Sequence, residues 1–290
     1  MSITSSMFTG VSGLLSNAED INVIGNNLAN VNTIGFKGSN MMFSDMLSTS
    51  IGNGSQIGRG TQIQSVSNVF TQGSFETTTS VTDMAIQGNS FFALGPPKGN
   101  AAITQDQAYL SRAGSFGVDS NFFLVNPDGY QVLDTSGSPI QFKVPAAPPV
   151  AGDFAKITQI GSDGAITYLD PLGNTYYYDT AGAIGTTTLA ATNNRLAVIN
   201  PPSPSGLNKI GGSLFSAGPG SGVPAAAFSI AGNQANGTSE KVFSNSLEQS
   251  NVDMAGQFVK MMLTQRAYSA NSKTITTADE MTQEVLNLKR

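Results

Sequence analysis

The 290-residue sequence contains no cysteine and no histidine. The first absence excludes disulfides, thiolate metal sites and cysteine nucleophiles, and the second removes the commonest general base and the commonest transition-metal ligand. Few of the nucleophile and base pairs that enzymes rely on survive both losses. Charge is scarce too: Asp, Glu, Lys and Arg make up 11% of the chain, against about a quarter in an ordinary soluble domain. Neutral hydrogen-bonding groups therefore cover the surface, and such surfaces pack on neighbours with little desolvation of ions. The 14 basic residues face 19 acidic ones for a net charge of −5, with no basic cluster, so nucleic acid is not an expected partner. No run of about 18 apolar residues exists, so no membrane insertion is expected. The stretch from Met1 to Phe8 has neither the basic start nor the continuous apolar segment of a cleavable secretion signal.

Catalytic and phosphate-binding patterns are missing as well. The segment Gly58-Arg59-Gly60-Thr61-Gln62-Ile63 lacks the third glycine of a dinucleotide fingerprint. Ser12 lacks the final glycine of a nucleophile elbow and falls within a helical pattern. Asp279, Glu280 and Glu284 form an acidic face that reads as solvated, or as paired with Lys273, rather than as a cation site. No enzyme activity, catalytic residue, cofactor or metal is expected.

What the chain does have is a pair of apolar beats at its ends. Met7, Val11, Leu14, Ala18, Ile21 and Leu28 follow a 4-3 spacing, and a second series runs through Val252, Ala255, Val259, Leu263, Ala267, Ala270, Thr274, Thr277, Met281, Val285 and Leu288. A repeat near 3.5 residues buries a narrow seam against another helix, so both ends ask for partners and are expected to serve self-assembly. The 39% apolar content supports modest cores between them. There, strands alternate with Gly, Pro, Asn and Asp turns, as at Asn126-Pro127-Asp128-Gly129. The expected class is α+β: terminal helices paired as a coiled-coil-like unit, with a central antiparallel β-rich domain. The expected divisions are an N-terminal axial helix over 1–42 pairing with 245–290, an extended connector over 43–76, a β-rich outer domain over 77–244, and a C-terminal axial helix over 245–290.

Several local expectations follow. The first helix starts after Ser5 or Ser6 and ends near Asn30, with Gly35 as a stop. The amides of Asn26, Asn27, Asn30 and Asn32 either satisfy unpaired carbonyls at that end or form a strip between subunits. Ser250 or Asn251 caps the last helix, with Asp253 in its first turn and Lys289-Arg290 in its last. Met84 to Leu94 reads as two strands about a tight turn, and Gly211 to Gly222 as a flexible crossing. Met41, Met42, Met46, Met254, Met261 and Met262 suit either a core or a seam that shifts. Tyr176-Tyr177-Tyr178 lies in a hairpin and is the strip that a rival, glycan-binding reading would use.

The run Asp20-Ile21-Asn22-Val23-Ile24-Gly25-Asn26-Asn27-Leu28-Ala29-Asn30-Val31-Asn32-Thr33-Ile34-Gly35-Phe36-Lys37 resembles the N-terminal motif of the flagellar axial proteins of the hook and rod. Ser246-Leu247-Glu248-Gln249-Ser250-Asn251-Val252-Asp253, followed by Thr264-Gln265-Arg266-Ala267-Tyr268, is similar to the C-terminal motif of that family. Thr82 to Phe92 and Tyr109 to Phe116 resemble its first β domain. Gly38 to Leu47 and the ending Leu286 to Arg290 look more like a hook subunit, whereas the length is closer to that of rod subunits. The resemblance implies a hook subunit, with a distal or proximal rod subunit as the alternative. It further implies a helical tube of identical copies that transmits torque and forms part of an export channel. The implied location is the cell-surface flagellum, reached by type III export without a cleaved signal peptide. Implied partners are the adjoining rod and hook-filament junction proteins, the hook cap and the export chaperone machinery.

Overall fold

The computed structural model describes residues 3–52, 55–97, 102–146, 148, 150–238 and 240–288. The chain divides into two compact units, one made from Met1–Val31, Gly38–Val69 and Val252–Arg290, the other from Asn32–Lys37 and Phe70–Asn251.

The first unit joins both ends of the chain. An N-terminal helix, Ile3–Ala29, packs on a C-terminal helix, Met254–Leu288. The N-terminal helix starts ahead of Ser5 and Ser6, and it ends where the Asn30 side chain donates back to the Asn26 carbonyl at 2.9 Å. Of the asparagine amides, that of Asn30 closes the helix end, while that of Asn27 turns to Ser39. The C-terminal helix starts later than expected, and Asp253 is its cap rather than part of its first turn. The Asp253 carboxylate accepts from the backbone N–H groups of Ala255 at 3.1 Å and Gly256 at 3.2 Å. The expected basic residues at the other end, Lys289 and Arg290, lie outside the described residues.

Of the expected extended connector over 43–76, the part up to Val69 folds back as a hairpin and belongs to this helical unit, whereas 70–76 fall in the second unit. Strand β1 (Ser39–Asp45) pairs antiparallel with β4 (Thr61–Asn68), and β2 (Thr49–Gly52) with β3 (Ser55–Ile57). Ser39 anchors its base, exchanging two hydrogen bonds with the Asn27 side chain at 2.7 and 2.8 Å. Further out, Thr61 donates through its backbone N–H to Ser12 Oγ at 3.3 Å. Gly60, with a φ of +109°, lies against Ser12, where a Cβ would collide.

The second unit is the β-rich body, with β5 (Phe75–Thr77), β6 (Met84–Gln87), β7 (Phe91–Gly95), β8 (Tyr109–Ser111), β9 (Gly117–Val118), β10 (Leu124–Val125), β11 (Gln131–Val132), β12 (Lys156–Ile160), β13 (Ile166–Leu169), β14 (Thr175–Tyr177), β15 (Val198–Ile199), β16 (Asn208–Gly211), β17 (Leu214–Ser216), β18 (Lys241–Ser244) and β19 (Ser246–Glu248). Its main sheet runs β16-β17-β8-β7-β11-β10-β9, with β15 also on β7; β12-β13-β14 form a second sheet, and β18 pairs with β6 and β19 with β5. Strands β6 and β7 flank a turn as expected, and each finds its partners elsewhere, β6 on β18 and β7 on β8, β11 and β15. One expectation is corrected. The supposed flexible crossing at Gly211 is the turn of the β16–β17 hairpin, with Leu214 and Phe215 buried. The core gathers Met84, Phe92, Leu124, Phe142, Ile166 and Tyr168, while Phe91, Leu110 and Phe215 pack on the other face of β7 and β8. Each such side chain contributes about 1.5–3 kcal/mol by leaving water.

Candidate functional site

Two features stand out from the residues the sequence singles out: the interface of the terminal helices and a buried ion cluster in the β-rich body.

The helices meet through small and polar side chains. A Cβ at Gly13 would lie 2.6 Å from the Asn271 side chain, Thr264 Oγ1 donates to Asp20 at 2.9 Å, and the Asn27 amide donates to Gln257 at 3.4 Å. These layers, 13 with 271, 20 with 264 and 27 with 257, step by seven residues on both helices and in opposite directions, which makes an antiparallel heptad pair. Ala278 continues the row and is fully buried. Gly10 adds a second close approach, against Ile275.

The apolar beats lie one residue away from these layers. Leu14, Ile21 and Leu28 follow Gly13, Asp20 and Asn27, and Leu263 and Ala270 precede Thr264 and Asn271. One residue is a rotation of about 100° on a helix. Met7, Leu14, Ala18, Ile21 and Leu28 are therefore half-buried at the flank of the contact, and Val252, ahead of the C-terminal helix, is half-buried too, whereas Val11, Ala255, Val259, Leu263, Ala267, Ala270, Met281, Val285 and Leu288 are exposed. Val259 is 52% exposed and Leu263 60%. Phe8, Leu15, Phe258 and Met262 widen this apolar surface. Met42, Met46, Met254 and Met262 are exposed as well, and Met41 and Met261 half-buried, so these methionines serve a surface rather than a core.

In the β-rich body, the motif residues around Lys37 and Glu248 form one buried cluster. Lys37 Nζ lies 2.6 Å from Glu248 Oε1, and Arg112 Nη1 lies 3.2 Å from Glu248 Oε2; all three side chains are at most 2% exposed. Lys37 also donates to the Thr71 carbonyl at 2.8 Å, Arg112 to the carbonyls of Ile86 and Gly88 at 3.2 and 2.6 Å, and the Gly73 N–H donates to Glu248 at 2.9 Å. Burial pushes the Lys37 ammonium and the Arg112 guanidinium below their ordinary values, against the opposing pull of Glu248. Neighbouring motif residues lock the same region. Gly35 donates to the Glu248 carbonyl at 2.8 Å with a φ of +65°, and a Cβ there would collide with the backbone of Arg112 and Ala113, so only glycine fits. Phe36 is buried under Lys209 Nζ, 3.9 Å from the ring centre, and Asn251 donates to Thr71 at 3.1 Å. Ser250 is half-buried beside them. Lys37, Arg112 and Glu248 lie inside the family motifs, which by themselves assign them no task. The one signal available is that they are charges inside motifs of a chain poor in charge.

The rival readings find less support. Tyr176 and Tyr178 are buried, Tyr176 stacked on Tyr168 and Tyr178 donating to Asp134 at 3.0 Å, so they form no exposed platform for a sugar. Among the described residues no three Asp or Glu side chains converge to hold a metal, and no helix is long and apolar enough to cross a membrane.

One carboxylate gives the β-rich body a pH dependence. Asp153 forms an ion pair with Lys143 at 2.8 Å and accepts from the N–H groups of Val150 and Ala146, which lowers its pKa from 3.8 to about 2. The folded value lies below the unfolded one, so the stabilisation is complete above 3.8 and is lost as pH falls towards 2. Urea unfolding at stepped pH is expected to show a shallower loss across this window in Asp153→Asn than in the parent chain. Identical slopes would remove Asp153 from the account.

Comparison with known proteins agrees with this architecture. Residues 7–37 match the family described as flagella basal body rod protein, 85–168 the flagellar hook protein FlgE/F/G D1 domain, and 244–288 the flagellar basal body rod FlgEFG protein C-terminal. The chain is 35% identical to the flagellar basal-body rod protein FlgG of Bacillus subtilis, over 98% of this chain and 99% of that protein. It is 31% identical to FlgG of Borreliella burgdorferi, over 98% of each. To the flagellar hook protein FlgE of the same Borreliella it is 37% identical, but over 47% of this chain and 33% of that protein. The chain belongs to the family of flagellar hook and basal-body rod proteins, which is a structural family.

Proposed function

We propose that this protein is a rod subunit of the flagellar basal body, polymerising with copies of itself through the exposed faces of its terminal helices. The observation that carries self-assembly is the split on the C-terminal helix, whose polar and small layers serve the contact within the chain while its apolar beat faces outward, matched on the N-terminal helix by the exposed Phe8, Val11 and Leu15. A second copy of the same chain is the partner, because both helices present such stripes and few charges oppose their approach. In the tube, the paired helices would form the inner layer along an export channel, the β-rich body would lie outside, and torque would pass along the polymer to adjoining flagellar components.

Rod is preferred to hook on length. The alignment with rod proteins named FlgG runs nearly from end to end, whereas the hook protein alignment covers a third of its partner. The hook reading drew on Gly38 to Leu47, now β1 and its end, and on the last residues, of which 289 and 290 lie outside the described set. Deleting the gene in its own organism is expected to leave basal bodies with a truncated rod; complete rods that lack only a hook would restore the hook reading.

Charging the outer stripe tests the assembly surface. Val259→Asp with Leu263→Asp should abolish tubes seen by electron microscopy while shifting unfolding by less than about 0.5 kcal/mol, since both sites are exposed. Normal tubes from this variant would place the interface elsewhere.

A further inference from the structure

The two helices do not end level. Each step along one is matched by an equal step back along the other, so Ile3, where the described N-terminal helix begins, lies level with Met281. Thr282–Leu288 therefore has no layer of the described N-terminal helix opposite it. This overhang carries Val285, Leu286 and Leu288, the last two 63% and 86% exposed. It also carries Glu284, one turn after Glu280, a like-charge spacing that is unfavourable without a counterion. Among the described ion pairs neither glutamate has a partner.

A complementary surface exists elsewhere on the same unit. Phe8, Val11 and Leu15 of the N-terminal helix line an open groove with Met46 and Arg59 of the hairpin. Phe8 is 73% exposed, and Arg59 is an exposed cation without an ion pair among the described residues. An apolar trough with one free arginine at its edge matches an apolar helix end with a free glutamate.

We propose that the overhanging end of the C-terminal helix of one copy seats in the Phe8–Leu15 groove of the next, with Glu284 against Arg59. This deepens the assembly reading above and rests on it. Tip and groove are different patches, so the contact is head-to-tail: it leaves a free tip and a free groove on every complex and propagates instead of closing into a dimer. It cannot form within one copy. At about 1.5 Å per residue, the tip lies roughly 20 Å along the helix axis from the groove of its own chain.

The test uses the full-length protein and two kinds of variant. Arg59→Glu and Glu284→Arg, made singly, should each raise the critical concentration for polymerisation about tenfold or more, because each sets like charges together. The double exchange, R59E with E284R, should bring it back near the parent value. Independently, Leu15→Cys with Leu286→Cys introduces the only two thiols of the chain. These sites are roughly 25 Å apart along the axis within one copy, far beyond the Cα spacing a disulfide tolerates. Mild oxidation of tubes should then give a ladder of covalent dimers, trimers and higher species on a non-reducing gel. If the parent chain forms no tubes, the assembly reading and this contact fall together. If tubes form but the single charge variants assemble normally, the exchange gives no rescue, or the thiols give no ladder, the contact is overturned and the assembly reading stands.

Discussion

Glu248→Ala is expected to cost the β-rich body about 3–5 kcal/mol, because it leaves Lys37 and Arg112 buried with no anion. Set against a total stability of about 5–15 kcal/mol for a typical domain, that loss brings unfolding close to ambient conditions. The intact cluster holds two cations and one anion, so order matters. Lys37→Met leaves a neutral Arg112–Glu248 pair, and the Thr71 carbonyl keeps its bond from Asn251. It should cost clearly less than Glu248→Ala. Urea unfolding of the two variants, followed by near-ultraviolet circular dichroism of the tyrosines, gives the comparison. Equal losses would mean that the cluster is not governed by its charge balance.

Ala267→Pro is expected to end polymerisation. Residue 267 lies inside the C-terminal helix, between the layers at Thr264 and Asn271, and is exposed, so the effect comes from the backbone and not from lost packing. Proline removes one helical hydrogen bond and collides with the carbonyl four residues back, at a cost of about 3 kcal/mol or more. The kink throws the remaining turns off the heptad register. Electron microscopy should show no tubes, while the β-rich body, whose own core contains none of these residues, unfolds at its usual urea concentration. Tubes of normal length from this variant would separate assembly from the C-terminal helix.

Element types were legible in the sequence, and the terminal helices most plainly, because two long 4-3 beats have no other good explanation. Their rotation was not legible. A search for apolar repeats selects Leu14, Ile21 and Leu263, while the contact is made by Gly13, Asp20 and Thr264, which hydrophobicity ranks low. The repeat was correct and its phase was displaced by one position. The hairpin turn from Asn126 to Gly129 was readable because the Asn126 side chain ties its own backbone. Strand partners were not, since β6 finds β18 more than 150 residues away and nothing local specifies that choice. The ion cluster joins residues 37, 112 and 248, which only the fold brings together. The cap of the C-terminal helix was misassigned for a plainer reason: Ser250, Asn251 and Asp253 are all good caps, and sequence does not rank them.

The polar layers between the terminal helices have a consequence for the dissolved subunit. A pair joined by glycine, asparagine, threonine and glutamine removes little hydrocarbon from water, so in a dilute monomer the ends of both helices gain little from being together. Their order is then governed by mass action, and amide protons of Met254–Leu288 should exchange with solvent quickly at low protein concentration and slowly once neighbours cover the helices. Concentration itself becomes the variable that folds the two ends of the chain.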